Sequence, residues 1–235
     1  MSEENGAVNL SVKNNIGTIE FYHPKGNSLP GAILRKLADT ITNAGNSEEI
    51  RVLVIKSRGD GAFCAGASFD ELISIEDYNE GKKFFMGFAH VLNAMKTCPK
   101  LIIVRVHGKT VGGGVGIAAA GDYTFAEEKA SIKLSELALG IGPFVVGPAV
   151  ERKVGKSAFA ALSIDATNWY DAEWAYNNGL YNKIFDSTYD IDQAIRELAT
   201  QLANSSPEAM RDLKAILWKG SEDWDLLLEQ RAEIS

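Results

Sequence analysis

Gly59-Asp60-Gly61-Ala62-Phe63-Cys64-Ala65-Gly66-Ala67 follows the apolar run Val52-Leu53-Val54-Ile55, and His107-Gly108-Lys109-Thr110-Val111-Gly112-Gly113-Gly114-Val115-Gly116 follows Leu101-Ile102-Ile103-Val104. Short apolar runs bounded by glycine and followed by helical patterns read as buried parallel strands of an α/β protein. Such proteins place ligands at the loops leaving their strands. Two loops free of bulky side chains can bring two backbone N–H groups onto one oxygen, which is what an oxyanion hole requires. Each loop, taken alone, reads equally well as a tight turn that needs glycine for positive φ.

Phosphate-binding readings of these loops fail on spacing. Gly108-Lys109-Thr110 has the end of a Gly-x-x-x-x-Gly-Lys-Thr loop, but Ile103 stands where the first glycine belongs. Gly112 and Gly114 are followed by Ile117 where Gly-x-Gly-x-x-Gly needs its third glycine.

Outward from the loops, Val8–Val12 and Ile16–Phe21 alternate about Asn14-Asn15 as a β-hairpin. Pro30 opens a helix with Ile33, Leu37 and Ile41 on one face. Helical patterns cover Ser68–Ile75, Tyr78–Met95 and Gly113–Ala120, with strands at Tyr123–Ala126 and Ser131–Lys133. Leu134–Gly147 reads as irregular because of Pro143 and its glycines. Helices are expected at Val145–Val154, Ser157–Ser163 and, capped by Asp171, Ala172–Asn177. Leu180–Phe185 is the last strand pattern, and the chain after Ser187 is helical throughout. Residues 1–187 are therefore read as a core and 188–235 as a helical appendage.

The 235 residues suit one large domain, and 46% hydrophobic with 23% charged residues is an ordinary soluble composition. A net charge of −7 argues against general nucleic-acid binding. No apolar stretch is long enough for a membrane span, and Met1-Ser2-Glu3-Glu4-Asn5 lacks the pattern of a signal peptide. With two isolated cysteines, Cys64 and Cys98, the reading is a cytoplasmic protein in a reducing compartment. A catalytic thiol at Cys64 has no visible activating histidine.

Several stretches resemble the crotonase (enoyl-CoA hydratase/isomerase) superfamily: Gly61–Ala67, Val106-His107-Gly108 through Gly114, Gly121-Asp122-Tyr123, and Ser135-Glu136-Leu137-Ala138-Leu139-Gly140. Ala172-Glu173-Trp174-Ala175, Gly179–Lys183 and Ser206-Pro207 with Lys214 extend the resemblance in order along the chain. It implies an α/β fold of the crotonase-like (ClpP/crotonase) kind, a spiral of ββα units with a C-terminal helical trimerisation region. The implied assembly is a homotrimer or a dimer of trimers. The implied ligand is an acyl-CoA or acyl-carrier thioester, with the thioester as substrate and no separate cofactor, metal, nucleic acid or membrane.

By the same resemblance the oxyanion N–H groups belong to Ala65 and Gly113, and Glu136 is the acid/base. Substrate contacts are implied at Lys25, Ala62, Cys64, Gly66, Ala67, Gly112, Pro143 and Phe144. Relatives commonly continue beyond the point where this chain stops, which implies that a tail over the acyl pocket is missing.

The departures from the family pattern bear on the reaction. Hydratases of the family use two glutamates on one water; here Gly116 stands at the first and Glu136 at the second. Ser68 replaces an Asp, and Pro143-Phe144-Val145-Val146-Gly147 replaces Pro-Gly-x-Gly-Gly, adding bulk near the acyl group. One carboxylate with two N–H donors suffices for proton transfer beside a thioester, so double-bond migration in an enoyl-CoA is the first expectation. Hydration with Glu136 alone, decarboxylation of a β-branched acyl thioester aided by Tyr78, Lys82 or His90, thioester hydrolysis and non-catalytic acyl-CoA binding stay open. Glu136 as a mere capping carboxylate and His107 as a structural residue are the bland alternatives.

Overall fold

In the computed structural model, residues 5–235 are described; the polar stretch Met1–Glu4 lies outside them. Strands β1 (Ala7–Lys13) and β2 (Ile16–Tyr22) form the expected antiparallel hairpin. Asn14 and Asn15 have φ of 52° and 61°. Two successive left-handed residues make the hairpin turn whose twist matches its strands, and asparagine tolerates them.

From β2 the sheet runs parallel through β3 (Val52–Ser57), β4 (Ile102–Val106), β6 (Tyr123–Glu127) and β9 (Lys183–Phe185), in the order β1-β2-β3-β4-β6-β9. Both faces of the central strands are covered, which is why their sequences are continuously apolar. Leu53, Ile55, Ile102 and Val104 pack in one core with helices α1 (Gly31–Asn46), α3 (Tyr78–Thr97) and α4 (Gly113–Ala120). Val52, Val54, Ile103 and Phe125 face the other way onto Ile191, Ile195 and Ala199 of α7 (Thr188–Ala203). The alternation of one strand thus feeds two cores.

A second, three-stranded sheet joins β5 (Thr110–Val111), β7 (Ser131–Lys133) and β8 (Tyr170–Asp171). Short α2 (Phe69–Ile73) begins at Ser68, whose side chain accepts the Glu71 N–H. The helical stretch α5 (Gly147–Ile164) is broken at Gly155, with φ 76° and ψ 164°, which divides it into two helical pieces as expected. Asp171 accepts the Trp174 N–H at 2.7 Å and starts α6 (Ala172–Asn177), as expected. The strand expected from Leu180 starts only at Lys183, because the Leu180 and Tyr181 amides both return to the Ala175 carbonyl to close α6. No helix among the described residues is long and apolar enough to cross a membrane.

The last helices, α8 (Pro207–Leu217) and α9 (Trp224–Glu233), are tied to the core by a buried ion pair. Lys214 Nζ lies 3.0 Å from Asp122 Oδ2, and both side chains are 4% exposed. Lys214 also donates to the Met95 and Lys100 carbonyls at 2.9 Å each. Asp122 accepts the Trp218 indole N–H and the Ile102 amide, both at 2.8 Å. Both charges are satisfied by this network, so removing one partner leaves a desolvated charge. We expect Lys214→Met to destabilise the protein by about 3–5 kcal/mol in urea titration, and Lys214→Met/Asp122→Asn to cost less than the sum of the single changes. Additive costs would show that the two charges do not act as a pair.

Candidate active site

The first glycine loop leaves β3 and runs, as residues 63–68, between two other segments. On one side Phe63 N and Cys64 N donate to the Lys109 carbonyl, and Val111 N donates to the Cys64 carbonyl at 2.8 Å. On the other side Leu29 N donates to the Gly66 carbonyl at 2.8 Å, and Ser68 N to the Leu29 carbonyl at 3.1 Å. Asn27 organises this edge. It is buried, has φ of 56°, and its side-chain amide donates to the Arg58 and Ala62 carbonyls at 3.0 and 2.9 Å.

This bonding corrects the expected oxyanion donor. The Ala65 N–H is donated to the Asn27 carbonyl at 3.2 Å. The Gly66 carbonyl faces Leu29, and a trans peptide puts the next N–H on the opposite side. The Ala67 amide therefore turns away from Leu29, and among the described residues it has no acceptor. Ala67 lines the cavity that Glu136 also lines. Ala67, expected only as a substrate contact, is therefore a cavity-lining donor of the first loop without an acceptor among the described residues.

The second loop supplies the other donor. Gly112 N donates to the Lys133 carbonyl at 2.9 Å, which couples the loop to β7. Gly113 is the first residue of α4, so its N–H has no intrahelical acceptor. It faces the same cavity.

Glu136 reaches this point from the irregular segment after β7. It stands just before a single 3-10 turn, Leu137–Leu139, and its carbonyl accepts the Leu139 and Ile141 amides at 3.0 and 3.1 Å. Its carboxylate lies against Gly112: a Cβ there would be 2.9 Å from Oε1. With φ of 52° as well, position 112 accepts only glycine. Glu136 Oε2 is buried and has no hydrogen-bond partner among the described residues. Burial pushes the carboxyl up to about 7, against the opposing pull of its own backbone N–H.

These groups line a cavity of about 350 Å³. Phe69, Leu72, Phe84, Phe85 and Phe88 form one apolar wall, and Leu139, Pro143, Phe144, Val145 and Val146 another. The structure thus brings together Ala65, Gly66, Ala67, Gly112, Gly113, Glu136, Pro143 and Phe144 of the expected site. Ser135, from the stretch that resembles the family pattern, joins them, and so does Ser28, without a sequence signal to mark it.

Three expected substrate contacts lie outside this lining. Lys25 is exposed and ion-paired with Asp70. Ala62 uses its carbonyl to hold Asn27. Cys64 is fully buried, and burial pushes its thiol up to about 12, so it is no nucleophile. The groups considered for decarboxylation are elsewhere too. Lys82 is held by Glu229 and Glu233 at 2.7 and 2.9 Å, Tyr78 lines a neighbouring cavity, and His90 lines a groove bordered by α1 residues. His107 is buried, outside the cavity, and held below its ordinary pKa by burial and Arg105. Among the described residues no group of three or more His, Cys, Asp or Glu side chains is placed to hold a metal ion.

Residues 11–233 match the family described as enoyl-CoA hydratase/isomerase. The chain belongs to the enoyl-CoA hydratase/isomerase family. It is 26% identical over 213 residues to a probable enoyl-CoA hydratase of Bacillus subtilis, covering 90% of this chain and 82% of that one. It is 29% identical over 218 residues to the carnitinyl-CoA dehydratase of Escherichia coli K12, covering 92% and 82%. The crystal structure of an enoyl-CoA hydratase from Bacillus halodurans superposes with a TM-score of 0.89 at 20% identity, over 97% of this chain and 92% of that one. The α/β fold of this chain is that of the crotonase superfamily.

For an enoyl-CoA hydratase/isomerase family member, a buried carboxyl that prefers its proton has a consequence for stability. The raised folded pKa means that folding favours the protonated form. Stability present below the ordinary carboxylate range is therefore lost as pH rises toward about 7. We expect the melting temperature of Glu136→Gln, relative to the wild type, to rise between pH 5 and pH 8. An equal difference at both pH values would mean that Glu136 titrates normally.

Proposed function

We propose that this protein moves the double bond of a 3-enoyl-CoA to the 2-position, with Glu136 as the one acid/base. The observation that carries this reading is a buried carboxyl, unpartnered among the described residues, that lines one apolar cavity together with two amides free of acceptors. A substrate carbonyl oxygen bound by the Ala67 and Gly113 N–H groups would have its α-proton within the reach of Glu136. The carboxylate takes that proton, and the C–H electron pair forms the enolate, whose charge rests on the oxygen held by the amides. The carbonyl then re-forms, the α–β double bond closes, and the β–γ pair takes the same proton from Glu136 at the γ-carbon. No water and no second base enter the balance.

A pKa near the working pH suits a group that must both take and return a proton. Water addition with Glu136 alone is the second reading, favoured by the names of the Bacillus subtilis and Escherichia coli relatives. Assembly as a homotrimer or a dimer of trimers belongs to the same proposal and is supported by exposed Leu213, Ile216 and Leu217 on α8.

The assay is 3-enoyl-CoA and 2-enoyl-CoA offered separately, with migration and water addition both measured. We expect migration to dominate and Glu136→Gln to lower its kcat by at least about a hundredfold. Its rate should rise with pH through about 7 and then level, since the ionised carboxylate is the base. Unchanged turnover in Glu136→Gln removes the base assignment; faster hydration than migration selects the second reading.

A further inference from the structure

Position 116 and position 146 fit each other. Gly116 is buried inside α4, one turn from the Gly113 amide. A Cβ at 116 would meet Val146 Cγ1 at 2.8 Å and Val146 Cβ at 3.0 Å, with Leu92 Cδ2 at 3.6 Å beyond. Contacts this short to a branched side chain cannot be absorbed unless Val146 moves.

The backbone of Val146 is held in place. It stands immediately before α5, with φ −82° and ψ −18°, and its carbonyl accepts the Val150 amide at 3.0 Å. The next amide, of Gly147, returns to the Pro143 carbonyl at 2.8 Å. Val146 is 4% exposed, and the little surface it shows belongs to the cavity of Glu136. Any side chain leaving α4 at 116 toward that cavity would have to pass through this valine.

We infer that Gly116 and Val146 are one unit, in which Val146 fills the volume that a second carboxylate on α4 would need and so commits the site to proton transfer and against water addition. This rests on the proposed use of Glu136. The wall beside the reacting carbons is hydrocarbon where a water would have to be held and deprotonated. The acyl class that fits has only carbon and hydrogen near its double bond. The departure at 116 and the added bulk at 146, which lie thirty positions apart in sequence, are then one change rather than two. Val146 acts on reaction choice by occupying space and is a specificity-determining residue.

The steric half is tested by melting temperature, using Gly116→Ala, Val146→Gly and the double variant. Gly116→Ala should melt several degrees lower than the wild type, and in the Val146→Gly background the same change should cost far less. Equal cost in both backgrounds would overturn the fit. The chemical half uses Gly116→Glu with and without Val146→Gly, read as 3-hydroxyacyl-CoA formed from 2-enoyl-CoA. In the double variant a carboxylate at 116 takes a proton from water as the oxygen joins the β-carbon, and Glu136 gives one to the α-carbon. We expect the double variant to hydrate at least about tenfold faster than the wild type and than either single variant. Hydration by Gly116→Glu alone at the double variant's rate, or a folded double variant that adds no water, would overturn the inference. A wild type without migration activity would sink the proposed reaction, yet the melting cycle would still decide the fit.

Discussion

The Glu136 carboxylate is desolvated without being paired, and the site's behaviour derives from that one condition. An ionised carboxyl stripped of water, with no cation near it, raises its pKa until protonation becomes competitive near neutral pH. The start of α4 lies beside it and would favour an anion. Yet among the described residues only its own backbone amide opposes the effect of burial on the carboxyl, and burial outweighs it. The α4 amide at Gly113 remains available for a substrate oxygen. The arrangement separates two jobs: backbone donors for developing negative charge, and a side chain that holds a proton reversibly.

That separation depends on peptide planes more than on side chains. In the first loop one plane, Gly66–Ala67, is turned so that its carbonyl serves Leu29 and its N–H is left over. Gly66 has φ of 88°, the conformation that breaks the regular alternation of an extended strand at this point. Asn27 holds the neighbouring segment through two side-chain donors to carbonyls more than thirty residues away. The free amide at Ala67 is therefore a by-product of well-satisfied bonding around it.

The scaffold was legible in the sequence because it obeys periodicity. The buried runs at β3 and β4, the twin asparagines of the hairpin and the small apolar helix Gly113–Ala120 all come directly from local pattern. The two-residue strands β5 and β8 are too short to show any period, and they are defined only by their partners in the second sheet. The site was legible to the level of loops and of Glu136, but not to the level of atoms. Choosing Ala65 over Ala67 required knowing which way a peptide faces, and composition does not encode that. Lys25 looked available because its partner, Asp70, is forty-five positions downstream. Cys64 was expected as a substrate contact because it stands in the first loop, whereas Gly114 of α4 packs against it and it is fully buried.

The helix that forms the aromatic wall beside Glu136 also carries a cation, which is bound outside the cavity. Helix α3 contributes Phe84, Phe85 and Phe88 to the wall, and two residues before Phe84 it carries the cation Lys82. Glu229 and Glu233, one turn apart on α9, both bind that ammonium. The cation is neutralised at the seam between α3 and α9, so it neither lines the cavity nor stabilises the Glu136 anion. Had Lys82 entered the cavity, an opposite charge near the carboxylate would lower its pKa and cost it the capacity to return a proton. Helix α9, distant in sequence from every catalytic motif, in this way holds the α3 cation away from the cavity that Glu136 lines.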